Sequence, residues 1–302
     1  MAVGDFDGDG AEDVLASRWD STASALTTRL FRAERGRFSD VTAASGIVVP
    51  GGATFATFAD YDNDGHLDLY AIGTEGRGHL FRNTGKARYE DVTATARIDA
   101  TGGVIRALFV DLDHDGDLDL VTVGPPGVHA LRNNADGTFA DATADFGLSG
   151  SGDARDVAFA DFNGDGRIDL FVSRHRGSNT LYRNAGARRF DDATAASGLP
   201  TTGGSGMVAV GDVNNDGTLD LYVAPADSGA PSIWLNDAEG AFTRDRRSNA
   251  TLGALRGVRV TAARFVDYDN DGWLDVVLAG APRTTGARGV VLLRNDGTGK
   301  VD

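Results

Sequence analysis

Six nine-residue stretches of this chain carry side-chain oxygens at positions 1, 3, 5 and 9, a spacing suited to holding a metal ion. They are Asp5, Asp7, Asp9 and Asp13, then Asp60, Asp62, Asp64 and Asp68, then Asp111, Asp113, Asp115 and Asp119. The fourth has Asp161, Asn163, Asp165 and Asp169, the fifth Asp212, Asn214, Asp216 and Asp220, and the sixth Asp267, Asp269, Asp271 and Asp275. Alternate residues of a tight loop converge their oxygens on one point. Such an oxygen-rich, irregular set suits Ca²⁺ better than Mg²⁺. Position 6 is glycine in every copy (Gly10, Gly65, Gly116, Gly166, Gly217 and Gly272), which permits the positive-φ turn around an ion. The expected next ligand is the backbone carbonyl at position 7, from Ala11, His66, Asp117, Arg167, Thr218 and Trp273. The position-9 aspartate then closes the shell through both oxygens. One such stretch is an ordinary solvated turn. Six, with first aspartates 55, 51, 50, 51 and 55 residues apart, form a repeat.

The ligand positions use half of the 44 acidic residues, and six bound Ca²⁺ would take the formal charge from −15 to −3. Unit charges 4 Å apart repel by about 1 kcal/mol in water and about 4 at a surface-like dielectric. The acidity is therefore an internal demand for cation, and it argues against a nucleic-acid partner.

The flanks decide what holds these loops. An EF-hand closes its site at position 12 and sits between amphipathic helices. Here the neighbours are β-rich runs, such as residues 53–59 before the second loop and 67–72 after it. Two further strands follow in each repeat, at 78–83 and 89–93 in the second. The third recurs around Leu30-Phe-Arg32, Leu131-Arg-Asn133, Leu181-Tyr-Arg-Asn184, Ile233-Trp-Leu-Asn236 and Leu293-Arg-Asn295. The fourth recurs around Phe38, Phe139 and Phe190, while Phe242-Thr-Arg-Asp245 departs from its pattern. A repeat of four short strands closes best as a ring. The expectation is an all-β β-propeller of four-stranded antiparallel blades in one domain, 1–302, with truncated first and last repeats. Six blades are expected, with a seven-bladed parent left open.

These motifs resemble the FG-GAP/VCBS repeat family, of which the integrin α-subunit propeller is a member. The strand patterns are similar to the cartilage acidic protein and ASPIC/UnbV group. The resemblance implies a Ca²⁺-bearing propeller outside the cytoplasm, extracellular, cell-surface or periplasmic, used in adhesion or in binding a protein or glycan. It names no ligand.

The remaining signals set expectations for a partner. No apolar run is long enough to span a membrane, and there is no cysteine for disulfide or thiol chemistry. The histidines, His66, His79, His114, His129 and His175, share no motif, and no catalytic constellation is present, so no enzyme is expected. The alternative is a lectin or carbohydrate-active enzyme using the axial face opposite the calcium loops. Longer connections on that face are expected at 17–28, 246–257 and 281–289, with Arg106, Arg155, Met207 and Arg259 near the axis. Arg32, Arg82, Arg132, Arg183 and Arg294 recur on the third strand, where pairing with a nearby carboxylate is the expected role. Asn83, Asn133, Asn184, Asn236 and Asn295 are expected to shape the following turn. Trp273 is either a packed residue or an exposed contact.

Overall fold

Strands form where alternation and apolar runs place them. The computed structural model describes residues 1–85, 88–98, 102–148, 152–199, 204–227, 229–282 and 289–302. In the second repeat, strands A to D are Ala53–Ala59, Asp68–Gly73, Gly78–Asn83 and Tyr89–Asp91, paired antiparallel in that order. Phe58 opposes Leu69, Leu69 opposes Phe81, and Phe81 opposes Asp91, the register of a simple meander.

The same meander makes blade 1 from Ala2–Gly4, Asp13–Asp20, Ala25–Glu34 and Arg37–Asp40, and blade 3 from Arg106–Val110, Asp119–Gly124, Gly127–Asn133 and Phe139–Asp141. Blade 4 comprises Ala154–Ala160, Asp169–Arg174, Thr180–Gly186 and Arg189–Asp192, and blade 5 Ser205–Gly211, Asp220–Pro225, Ser232–Asn236 and Phe242–Arg244. Blade 6 has Val258–Val266, Asp275–Pro282 and Gly289–Leu293. Its fourth strand comes from residues 300–302: Val301 bridges Asn295, and Arg294 and Asp302 exchange two backbone hydrogen bonds of 2.8 Å. Val301 is buried at the position that Tyr89, Phe139, Phe190 and Phe242 hold elsewhere. The chain is an all-β, six-bladed β-propeller whose only helices among the described residues are Thr42–Ser45 and Asn249–Ala254.

Contacts group the chain into two compact units, Met1–Ser151 with blades 1 to 3 and Gly152–Asp302 with blades 4 to 6. Within each, the cores lie between successive blades. Phe6, Leu15 and Leu30 of blade 1 pack on Leu69, Phe81 and Tyr89 of blade 2, and Phe162, Phe171 and Leu181 of blade 4 on Leu221 and Phe242 of blade 5. The B strands of blades 2, 3 and 4 are buried on every residue. Their continuous apolar runs fit a strand covered on both faces.

The expected connection at 17–28 is instead the far end of a hairpin. Ser17 opposes Thr28 and Trp19 opposes Leu26, and the Asp20 carboxylate accepts from the Thr22 and Ala23 backbone N–H groups at the turn. The stretch 246–257 holds the second helix. Most of 281–289, and residues 99–101 of the link after blade 2, lie outside the described residues.

Candidate metal centre: six aspartate loops between strands A and B

Each loop is first shaped by its own carboxylates. The position-1 aspartate accepts from the backbone N–H of position 5 at 3.1–3.2 Å through one oxygen. Its other oxygen accepts from the position-6 glycine at 2.8–3.0 Å. The position-5 aspartate accepts from position 7 (Ala11, His66, Asp117, Arg167, Thr218 or Trp273) at 2.9–3.1 Å. Chain bending needs two left-handed residues per loop. One is the expected position-6 glycine, at φ between 82° and 96°. The other, which the sequence reading missed, is position 4, held by Gly8, Asn63, His114, Gly164, Asn215 and Asn270 at φ between 55° and 75°. Glycine or asparagine at five of the six was the available signal.

The position-9 aspartates each hold two backbone segments. Asp13, Asp68, Asp119, Asp169, Asp220 and Asp275 are almost wholly buried at the start of strand B. One oxygen of each accepts from the backbone N–H of position 2 of its own loop at 3.0–3.3 Å. The other accepts from strand C, at Ala33, Asn83, Asn133, Asn184, Asn236 or Asn295, at 2.7–2.9 Å. Burial pushes Asp68, Asp119 and Asp220 up to about 7 and Asp169 to about 6, against the lowering effect of those backbone donors. Burial also raises Asp7 and Asp62, with their aspartate neighbours adding to it. Crowded, buried carboxylates held this way favour a bound cation.

The strand-C asparagines join one blade to the next. Asn83 Nδ2 donates to the carbonyl of Phe6, position 2 of the preceding loop, at 2.9 Å, and Asn133 reaches Tyr61 at 2.8 Å. Asn236 reaches Phe162 and Asn295 reaches Val213, both at 2.8 Å. The expected turn role also holds for Asn83, Asn133, Asn184 and Asn295, whose Oδ1 accepts from the turn backbone. In blade 5 the turn N–H groups donate to Asp237 instead. A relay therefore runs from a loop carbonyl through an asparagine to a position-9 aspartate and into the next loop.

Four loops gather acidic oxygens within 4.8 Å of one another: Asp5, Asp7 and Asp13; Asp60, Asp62 and Asp68; Asp111, Asp113 and Asp115; and Asp267, Asp269 and Asp271. Loops four and five put asparagine at position 3, and its amide donates at 2.8 Å to Asp165 in one and Asp216 in the other. Burial raises Asp216, but hydrogen bonds from Thr218 and Asn214 outweigh it and leave the group below its usual range. The donor set fits a hard cation on a further observation. Asp7 Oδ1, Asp62 Oδ1 and Asn163 Oδ1 are buried acceptors with no hydrogen-bond donor. Buried acceptors normally have a partner, and a cation supplies one.

The recurring strand-C arginines supply part of the counter-charge. Arg32 lies 3.8 Å from Asp7, Arg82 3.8 Å from Asp62, and Arg294 2.5 Å from Asp269. Arg183 donates to the Glu239 carbonyl of blade 5 at 2.8 Å. Among the expected axial residues, Arg106 lies 5.3 Å over the Phe55 ring and Arg155 pairs with Asp153 at 3.0 Å. Trp273 is half-buried at the sixth loop.

Fold and loops together define a propeller whose A–B turns are acidic, aspartate-rich loops. The FG-GAP-like repeat profile matches residues 5–71, 60–122, 111–172, 161–223 and 212–278, and the chain belongs to that family. No curated protein sequence matches it. Among solved structures it is similar to BBS1N in complex with ARL6DN, at 11% identity and a TM-score of 0.56 over 99% of this chain and 80% of that one. It is similar to Sqt1 of Saccharomyces cerevisiae at 11% identity, TM-score 0.55, over 96% and 84% of the two chains. It also resembles the V. cholerae biofilm matrix protein Bap1, at 18% identity and TM-score 0.46, over 82% of this chain but only 38% of that one. No helix among the described residues is long and apolar enough to cross a membrane.

Proposed function

We propose that this chain is a calcium-stabilised, extracytoplasmic β-propeller that acts as a binding or adhesion module, with up to six structural Ca²⁺ in its A–B loops. One observation carries the reading: buried carboxylate oxygens of Asp7 and Asp62 have no donor and stand beside further aspartates. Positions 1, 3 and 5, the position-7 carbonyl and the position-9 aspartate would hold each ion. Its chemistry there is charge neutralisation, which lets crowded carboxylates coexist and fixes loops already bent by Asx-type hydrogen bonds. Extracellular modules bind Ca²⁺ in the range of about 10⁻⁴–10⁻³ M, a level found outside the cytoplasm. The absence of cysteine is compatible with an exported chain.

The ligand is a protein or a glycan. A propeller similar in fold, BBS1N, is seen in complex with ARL6DN, which supports a protein partner as one use of such a scaffold. No catalytic role is assigned to the carboxylates, since the loop hydrogen bonds and the proposed ion account for them. The test is a thermal melt with metal analysis: calcium-loaded protein should melt well above protein stripped by excess EDTA. An unchanged melt after verified metal removal sinks the calcium reading.

A further inference from the structure

A cleft of about 270 Å³ lies between blades 2 and 3, beside the B–C turn of blade 3 at Gly124, Pro126 and Gly127. In a meander this end is opposite the A–B loops. Its wall is aliphatic, with Ile98, Val104 and Leu131, and its polar groups are Tyr70, Thr122, His129, Arg97 and Asp141. Tyr70 and Thr122 are 1% and 5% exposed, and no hydrogen bond reaches either hydroxyl among the described residues. Gly78 makes room for the first of them, because a methyl group there would fall 1.8 Å from the Tyr70 oxygen. His129 opposes Thr122 across the B–C pair, and Asp141 opposes Leu131 across the C–D pair, so the polar groups share one face of blade 3. The Asp141 carboxylate accepts from the Thr143 backbone N–H at 2.9 Å, and the Thr143 hydroxyl and then that N–H hold it below its usual range.

We infer that this cleft binds a neutral, hydroxyl-bearing ring of single-sugar size. Three features point to that class. The lining charges of Arg97 and Asp141 cancel, so the site selects no net charge. Tyrosine, threonine and histidine can each donate or accept, as sugar hydroxyls do. The aliphatic wall suits the C–H face of a ring, and the volume equals about nine water molecules at about 30 Å³ each. The inference deepens the binding-module reading by naming a ligand class and a place, the interface of blades 2 and 3.

The experiment is calorimetric titration of the full chain in saturating calcium with glucose, galactose, mannose, fucose and N-acetylglucosamine, and with glycine and alanine as zwitterionic controls. At least one sugar should bind, and Tyr70→Phe and Thr122→Val should each weaken it about fivefold or more. Tyr222→Phe, the matching position in blade 5, should leave binding unchanged. Tyr70→Phe removes only an unpaired hydroxyl, so it keeps the fold, and its unchanged melting temperature checks this. Failure of every sugar to bind folded, calcium-loaded protein overturns the inference, as does binding that survives both variants or preference for the amino acids. None of those outcomes touches the calcium reading, which stands or falls on the EDTA melt.

Discussion

Loops one to three and loops four and five share a backbone and differ at one atom type. In the first group position 3 is aspartate (Asp7, Asp62, Asp113), and two of these have a buried oxygen without a donor. In the second group it is asparagine, whose amide donates to the position-5 carboxylate 2.8 Å away. The Asp-to-Asn exchange replaces repulsion between two carboxylates by a hydrogen bond. On the calcium proposal, a loop of the second kind would keep more of its shape on losing its ion than a loop of the first kind, although Asn163 Oδ1 also has no donor. Loop six belongs with the first group by composition, and there Arg294 pairs with Asp269 and approaches Asp271 at 3.8 Å.

The largest test of this contrast is metal removal. Each occupied site adds about 2.7 kcal/mol at a hundredfold excess over Kd, so stripping three loops removes about 8 kcal/mol. A melting shift above about 10 °C follows, measured by calorimetry with and without EDTA. If the contrast holds, Met1–Ser151, with three aspartate-only loops, loses more protection on complete calcium removal than Gly152–Asp302, as read by hydrogen exchange with and without EDTA. Equal loss in both units would break the comparison.

Next in size is the position-9 carboxylate, which the two groups share. Asp68→Ala and Asp220→Ala each remove two buried charge-assisted hydrogen bonds, and each should cost about 3 kcal/mol in urea denaturation. Because the bonds are to backbone, the loss should be similar in both groups and should persist in EDTA. A loss that vanishes without calcium would show these residues to be ligands only.

A smaller effect is expected at the blade-joining amides. Asn83→Ala leaves the Phe6 carbonyl without its side-chain donor and the Leu67 carbonyl with the Tyr89 hydroxyl alone. It should cost about 1–3 kcal/mol. Swapping the position-3 residues gives the direct exchange. Asn163→Asp should tighten calcium at loop four, and Asp62→Asn weaken it at loop two, by about tenfold each in a calcium titration, since affinity follows ligand charge. Equal affinities would show that side-chain charge at position 3 is not the discriminating factor. The smallest change is Arg82→Ala. This partly exposed pair, 3.8 Å apart, is worth at most about 1 kcal/mol, and its removal should slightly favour calcium at loop two.

Much of this was legible in the residues themselves. The spacing of Asp60, Asp62, Asp64 and Asp68 predicts a loop between strands, and the β-rich run after it predicts a strand. Local chemistry sets both: a tight acidic turn and an apolar run each depend on neighbours in sequence. The hairpin at 17–28 was misread because its cross-strand pairs, Trp19 with Leu26 among them, join residues that individually suit a connection. The fourth strand of blade 6 was hidden for a related reason, since Val301 takes an aromatic's place without an aromatic's signature.

Residue order alone determined the six loops, their left-handed glycines and the four-strand repeat. Tertiary structure alone decided that position-9 aspartates are buried anchors for two backbone segments, and that strand-C asparagines reach the loop of the preceding blade. It also decided that Tyr70 and Thr122 meet in one cleft. Such contacts span tens of residues and exist only once blades stack, because a buried polar group's partner is set by whichever donors or acceptors packing brings beside it.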